Sequence, residues 1–251
     1  MKSLMRWGSK LGIVGAAIAG SLFINTLELL ALPKEQVIEK LRNVPVFAIT
    51  DSQGSPLVVS EKDGKTIAGI FISQTDAKKF VENLKTNNPQ LAKKVKVVGL
   101  SLAEVYNLSV ENAKKKDGLL FEFVPIKTQV ELAKKVSSSN NQANKYKGGV
   151  PLFVANLGKD KQGKDRGHLA LSHNNEKVIP FFFEKSELQK IVERVKKENP
   201  EFASTIKIEV VPLENMIHQL DKSDDKTLNK IYLVPSKESM QFLQQQTKQK
   251  Q

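Results

Sequence analysis

The stretch FVENLKTNNPQLAKKVKV (80–97) returns 111 residues later as IVERVKKENPEFASTIKI (191–208). At the same offset IFI (70–72) meets FFF (181–183). A constant offset over separate stretches of sequence indicates an internal repeat. The chain is therefore predicted to contain two copies of one structural unit.

Each copy predicts the same order of elements. Three short apolar strands come first, and an amphipathic helix follows at 75–87 and again at 186–198. A fourth strand, a short helix, a fifth strand and a closing helix complete the unit. This order predicts an α/β fold (α+β-like) of two tandem pseudo-symmetric repeats, each a sheet with helices packed mainly on one face. Because each repeat is small, the two are expected to share a surface, related by a pseudo-two-fold axis.

The boundaries follow from composition. Repeat 1 is predicted at 36–136 and repeat 2 at 150–246, with a polar tail at 247–251. The intervening segment 137–149 is rich in Ser, Asn, Gln and Gly and lacks an apolar period. We expect it to be a flexible linker.

The N-terminal segment 1–31 has the pattern of a secretory signal. Lys2, Arg6 and Lys10 precede the uncharged run LGIVGAAIAGSLFI (11–24), and small residues follow. A retained membrane anchor and a buried helix are the alternatives. Cleavage near Leu32 would release an exported protein.

The composition argues against most classes of catalytic and metal-binding site. The 251 residues carry a formal net charge of +12, no cysteine and three histidines, so disulfides and thiolate metal sites are excluded. GKDKQGKD (158–165) fits the start of a phosphate-binding loop, but Asp165 stands where a Ser or Thr is needed, which favours a charged hairpin tip. No catalytic residue, cofactor or metal site is predicted. A hydrolase is disfavoured, and nucleic-acid binding is not expected, since arginine is scarce.

One strand pattern invites a functional interpretation. IPFFF (179–183) places aromatic side chains on both faces of its sheet. One face must be covered by helices, and the other either meets the sister repeat or stays accessible as an apolar groove. An accessible groove would suit extended, unfolded peptides, so the candidate client-binding surface comprises Phe71, Phe181, Phe182 and Phe183.

Three stretches resemble the Tic22 family, which includes the intermembrane-space component of the chloroplast import translocon and its cyanobacterial relatives. They are VPVFAITDSQGSPLVV (44–59), GIFISQTDAKKFVENLK (69–85) and GGVPLFVANLG (148–158). The signal-like N-terminus is similar to the cyanobacterial branch. The resemblance carries no catalytic residue.

The resemblance implies a periplasmic protein, with the thylakoid lumen as a second compartment. It implies an ATP-independent, chaperone-like factor that binds precursor polypeptides during protein translocation or outer-membrane biogenesis. An outer-membrane assembly pore and acidic membrane surfaces are further expected partners. The alternative is a scaffold or adaptor of an envelope assembly machine that holds no clients.

Overall fold

The computed structural model describes residues 32–60, 65–139, 145–223 and 225–249. The predicted signal at 1–31 lies outside these residues. Within them, no helix has the length and apolar character needed to cross a membrane.

The first half of the chain forms a five-stranded mixed sheet. Its strands run in the order β5-β3-β1-β4; β5 is parallel to β3, and β2 forms a hairpin with β3. The elements are α1 (Lys34–Arg42), β1 (Pro45–Asp51), β2 (Val58–Ser60), β3 (Thr66–Phe71), α2 (Gln74–Asn87), α3 (Pro89–Ala92), β4 (Val95–Ser101), α4 (Leu102–Asn112), β5 (Leu120–Val124) and α5 (Lys127–Ser139).

The second half repeats this topology. Its strand order is β10-β8-β6-β9, with β10 parallel to β8 and β7 paired to β8. The elements are β6 (Pro151–Asn156), β7 (Leu171–His173), β8 (Glu176–Phe182), α6 (Lys185–Glu198), β9 (Lys207–Pro212), α7 (Leu213–Lys222), β10 (Ile231–Val234) and α8 (Lys237–Gln249), with 3-10 helices at Pro200–Phe202 and Lys226–Lys230.

Strand register confirms the predicted repeat. Phe47 pairs with Phe71 in the first sheet, and Phe153 pairs with Phe182 at the equivalent place in the second. Likewise Val124 lies beside Phe71 and Val234 beside Phe182 in the parallel pairs. Two sheets with the same order and register form the two pseudo-symmetric halves that the sequence predicts.

The inner faces of the two sheets share one core. Val46 and Ile70 from the first sheet and Leu152 and Phe181 from the second all belong to it. Helices α1, α4 and α7 contribute Leu41, Leu102, Leu213 and further apolar side chains. Because this cluster draws on both halves, neither half is expected to keep its core alone.

The outer faces show an exchange of helices. Helix α5, which closes the first repeat, packs Ala133 into the apolar cluster on the outer face of the second sheet. Helix α8, which closes the second repeat, places Phe242 against the outer cluster of the first sheet. Such a reciprocal exchange is what a pseudo-two-fold axis produces, and the sequence analysis did not predict it.

Polar contacts fix the exchanged helices. The Glu238 carboxylate of α8 accepts hydrogen bonds from Ser73 Oγ at 2.8 Å and from the Thr75 backbone N–H at 2.6 Å, at the start of α2. In the other half, Gln129 Oε1 of α5 accepts from the Lys185 N–H at 3.1 Å, at the start of α6. Helix α6 thus begins at Lys185, one residue before the predicted start at 186, and a side chain of α5 accepts a hydrogen bond from its first turn.

The segment between the repeats is more ordered at its ends than the composition suggests. Helix α5 continues to Ser139, and the Ser137 hydroxyl accepts a hydrogen bond from the Tyr146 N–H at 2.8 Å. Tyr146 is itself buried. Within the predicted linker, only residues 140–144 lie outside the described part of the chain.

Candidate functional site

A wide groove of about 1620 Å³ opens between the two halves. One wall is β5 of the first sheet, and the opposite side is built by α7 and by strands β8 and β9 of the second. The segment 145–149 borders it. The groove therefore lies where the repeats meet and draws its walls from both.

The walls combine half-buried apolar side chains with polar groups. Phe121 and Phe123 face the groove from β5, Ile179 from β8, and Ile217 from α7. Each packs one side against the shared core, so its other side remains available for contact. A partly exposed apolar surface of this kind favours binding of another apolar surface.

Charged groups of both signs stand among these side chains. The acidic residues of the lining are Glu122, Glu214 and Asp225, and the basic or titratable ones are Lys145, Lys147 and His168. The groove is thus an apolar surface with a mixed polar border. It is not a uniformly charged cleft of the kind that binds nucleic acid.

Glu214 anchors the start of β6 beside the groove. Its two carboxylate oxygens accept from the Val150 N–H at 3.1 and 3.2 Å. Burial raises the pKa of this carboxyl above its ordinary value. Gly149 has φ +84, and a Cβ there would lie 2.4 Å from Glu214 Oε2, so only glycine fits this position without displacing the carboxylate.

Tyr146 extends the same polar cluster. Its hydroxyl donates to the Gly149 carbonyl, and the phenol is shielded from water. Burial, and then the nearby Glu214 charge, raise the pKa of Tyr146 to about 12. The tyrosine is therefore a neutral hydrogen-bond donor at physiological pH and holds the backbone at the groove border.

His168 and Glu209 form a second polar pair in this region. His168 Nε2 lies 3.5 Å from Glu209 Oε2, and Asn156 Nδ2 donates to Glu209 Oε1 at 3.1 Å. Hydrogen bonding from His168, helped by that from Asn156, holds the pKa of the Glu209 carboxyl below its ordinary value. The contact between Asn156 and Glu209 joins β6 to β9, and the pair of His168 and Glu209 has a structural role.

The other sequence-level candidates for chemistry fall on surface features. GKDKQGKD (158–165) forms a hairpin tip in which Asp160 Oδ1 accepts from the backbone N–H groups of Gln162 and Lys164. Lys159 and Asp165 pair across that turn. Among the described residues, no group of three or more His, Cys, Asp or Glu has the arrangement of a metal site.

The four phenylalanines of the predicted client-binding surface are buried. Phe71 and Phe182 belong to the outer clusters under the helices, whereas Phe181 and Phe183 belong to the shared inner core. Their exposed fractions are 8%, 2%, 5% and 2% for Phe71, Phe182, Phe181 and Phe183. The strand is therefore covered on both faces and offers no open surface, which corrects that expectation. Phe181 alone of the four reaches the lining of the groove.

The comparisons with known proteins identify the family. The profile of the Tic22-like family matches residues 5–245. The chain belongs to the Tic22-like family. This confirms the resemblance drawn from the three sequence stretches.

Solved Tic22 structures share the fold. Anabaena Tic22, a protein of protein transport, superposes with a TM-score of 0.73 at 25% identity, covering 85% of this chain and 97% of that one. This likeness agrees with the cyanobacterial branch. Tic22 from Plasmodium falciparum has the same fold, with a TM-score of 0.65 at 21% identity over 85% of this chain and 98% of its own.

The plant Tic22 proteins are longer than this chain. The TIC 22-like chloroplastic protein of Arabidopsis thaliana is 27% identical over 209 residues, which cover 81% of this chain and 61% of that protein. The chloroplastic TIC 22 of Pisum sativum is 23% identical over 217 residues, or 85% of this chain and 78% of that one. The chain thus spans about three fifths of the Arabidopsis relative.

The groove residues Phe121, Phe123 and Ile217 were not selected from the sequence. Their apolar periodicity is that of ordinary core positions, and nothing local distinguishes them. A difference between the two repeats was nevertheless visible in the sequence. The stretch before the first strand of the second repeat is polar and glycine-containing, whereas the stretch before the first strand of the first repeat, KEQVIEKLR (34–42), is an amphipathic helix.

Proposed function

We propose that this Tic22-like protein is an ATP-independent, chaperone-like factor that holds precursor polypeptides in the groove between its repeats. The protein is exported to the periplasm or thylakoid lumen and holds its clients there during protein translocation or outer-membrane biogenesis. Family membership and the likeness to Anabaena Tic22, a protein of protein transport, support a role in transport. No catalytic step is needed for it.

The groove carries the proposal. At about 1620 Å³ it exceeds the roughly 300–1,000 Å³ of most small-molecule sites. Its walls combine apolar side chains with scattered polar groups and lack a cluster suited to chemistry. A surface of this size and composition is suited to an apolar stretch of polypeptide, which buries side chains without requiring one fixed sequence.

The charge of the chain fits such a role. The formal net charge is +12 for the whole chain and +10 without residues 1–31, and either value attracts acidic polypeptides and acidic membrane surfaces over several ångströms of solution. In this proposal the charge concentrates clients and membranes near the protein, and the apolar groove holds the client. An outer-membrane assembly pore would receive the client from it.

Suppression of client aggregation tests the proposal. The purified protein should slow aggregation of a chemically denatured model client without added nucleotide. Ile217→Asp, which puts a charge on the groove wall, and Asn215→Trp, which fills the groove from an exposed position, should both reduce this effect. Val59→Asp is the matched control, since Val59 is an exposed apolar residue outside the groove.

Each outcome has a clear meaning. Circular dichroism and urea unfolding establish that the variants remain folded. Loss of holding in both groove variants, with Val59→Asp unaffected, supports the proposal. If the folded wild-type protein does not slow aggregation, or if the groove variants act like the wild type, the groove is not a client site and the scaffold alternative is favoured.

A further inference from the structure

The two halves differ in what precedes their first strands. Helix α1 precedes β1 and packs against α4 of its own repeat and against α7 and β10 of the other. The first strands of the two repeats are offset by 106 residues, so the counterpart of α1 would precede β6 at 140–148. Residues 145–148 are described and are not helical.

The groove lies beside elements that the counterpart of α1 would contact. Under the two-fold relation, the counterparts of α4 and β10 are α7 and β5. Both elements line the groove, with Ile217 on α7 and Phe121 and Phe123 on β5. Helix α1 also contacts α7, whose counterpart α4 contributes none of the described lining residues. The groove therefore corresponds to the place where a second copy of α1 would lie.

Burial at the two equivalent places agrees with this correspondence. Ile231 and Leu233 of β10, the strand that α1 contacts, are 7% and 3% exposed. Their counterparts on β5, Phe121 and Phe123, remain only half-buried. The same strand position is thus covered in one half and uncovered in the other.

The contacts of α1 show what such a helix offers. Val37 and Leu41, one turn apart, are fully buried in the shared core. On the adjacent turn, Lys40 Nζ donates to the backbone carbonyls of Asn229 at 2.8 Å and Ile231 at 3.3 Å. In the first half the equivalent carbonyls belong to Leu119 and Phe121, of which Phe121 lines the groove.

The dimensions also agree. A nine-residue helix is about 13.5 Å long and about 10–12 Å across, which corresponds to a cylinder of about 1,100–1,500 Å³. The groove measures about 1620 Å³. One short helix with its side chains therefore accounts for most of the space.

We propose that the groove binds a short amphipathic α-helix of its partner polypeptide, seated as α1 is seated in the other half. The helix carries apolar residues at positions i and i+4 and a lysine at i+3, as α1 does at Val37, Leu41 and Lys40. This rests on the proposed function and specifies the class of client segment. An extended client strand is the competing occupant.

A peptide copied from α1 is the direct probe. We would use residues 32–44 (LPKEQVIEKLRNV), capped, fluorescently labelled, and held helical by a side-chain bridge between position 35, changed by Glu35→Lys, and Glu39. Both positions are exposed in α1. The bridge is needed because so short a helix is marginal in water on its own. Fluorescence anisotropy with the purified protein measures binding.

The expected result depends on both partners. The bridged peptide should bind, and Ile217→Asp or Asn215→Trp in the protein should weaken binding by about tenfold or more. Val59→Asp should leave the affinity within about twofold. In the peptide, Val37→Asp with Leu41→Asp should abolish binding, and Lys40→Met should weaken it by removing the donor to the strand carbonyls.

Three results would overturn the inference. The first is that the bridged peptide fails to bind, or binds equally well to the groove variants. The second is that an unbridged, alternating apolar peptide of the same length competes as well as the helix, which would assign the groove to extended clients. The third is displacement by a peptide of residues 140–148, which would assign it to the chain's own linker.

Failure of this inference is separable from failure of the proposed function. If Ile217→Asp and Asn215→Trp abolish suppression of aggregation while the helical peptide does not bind, the groove holds clients in another conformation. If the groove variants suppress aggregation normally and do not affect peptide binding, both ideas fail together.

Discussion

The Phe242 ring of the last helix lies edge-on against the Phe47 ring of the first strand, with centroids 5.1 Å apart and planes at 79°. The two residues are 195 positions apart in the chain. Phe47 is fully buried, and Gly99 of the neighbouring strand leaves space for the second ring. The C-terminal helix is thus part of the core of the N-terminal repeat.

Removing this contact should destabilise the whole protein. Phe242→Ala should cost about 2–4 kcal/mol of unfolding free energy, near the lower end for buried aromatic residues because Phe242 is only half-buried. Gln245→Ala, at an exposed position of the same helix, should change it by less than about 0.5 kcal/mol. Urea unfolding measures both, and equal values for the two variants would show that α8 does not close the first repeat.

Gly99 provides a second, coupled test of the same contact. A Cβ at this position would lie 2.3 Å from Phe242 Cζ, so Gly99→Ala should destabilise the protein by forcing the ring away. In the Phe242→Ala background the same change should cost much less, since the clash is gone. A double-mutant cycle with no coupling would place the ring elsewhere.

The exchange of closing helices also predicts how the chain behaves when it is cut. A single proteolytic cut within 140–144 should leave two fragments that elute together from a sizing column, because each carries the helix that covers the other's sheet. A fragment of residues 32–139 expressed alone should not fold cooperatively. Elution of two separate, folded halves after the cut would contradict the exchange.

The Phe-rich strand β8 should be structural on both faces. Phe181→Ala and Phe182→Ala should each cost about 3–5 kcal/mol, since one ring lies in the shared core and the other beneath α6. Thermal unfolding compares both with the wild type. A variant that keeps its stability would identify an open face on this strand.

Much of this architecture can be predicted from the sequence, and the register of the strand pairs shows why. Phe71 and Phe182 are 111 residues apart, whereas their strand partners Phe47 and Phe153 are 106 residues apart. The pairings are nevertheless equivalent, because the second repeat has five more residues between these two strands. Apolar alternation fixed which segments are strands and which side chains point inward. The helical period of apolar residues predicted helices at 75–87 and 186–198, and both starts lie within one residue of those observed.

The helix exchange and the groove depend on information that local patterns do not contain. The apolar side of α5 fits the outer face of either sheet equally well, so periodicity alone does not choose the partner of Ala133. The Phe181 and Phe182 rings are apolar whether they face a groove or a core. Only the three-dimensional arrangement shows that the accessible surface is on β5 and α7 instead.

Glu214 predicts a particular dependence of stability on pH. Burial raises the pKa of this carboxyl above its ordinary value of 4.5, so the folded state binds the proton more tightly than the unfolded state. The contribution of this group to stability is therefore present below the unfolded pKa and is lost as the pH rises through the folded pKa. Glu214→Gln keeps an acceptor for the Val150 N–H and removes the buried charge.

The measurement is urea unfolding of wild type and Glu214→Gln from pH 4 to pH 8. The variant should gain stability relative to the wild type as the pH rises through this window, because it no longer pays the cost of a buried carboxylate. Glu111→Gln, an exposed position on α4, controls for the loss of one negative charge. A stability difference that is constant with pH would show that the Glu214 charge is well solvated.

Site-specific crosslinking determines directly whether clients bind between the repeats. The chain has no cysteine, so one introduced thiol carries one photoreactive label. Asn215→Cys places the label in the groove, and Asn83→Cys places it on an exposed turn of α2 outside the groove. After illumination with a denatured client, we expect strong crosslinking from position 215 and little from position 83. Equal crosslinking from both positions, or more from position 83, would show that clients do not bind in the groove.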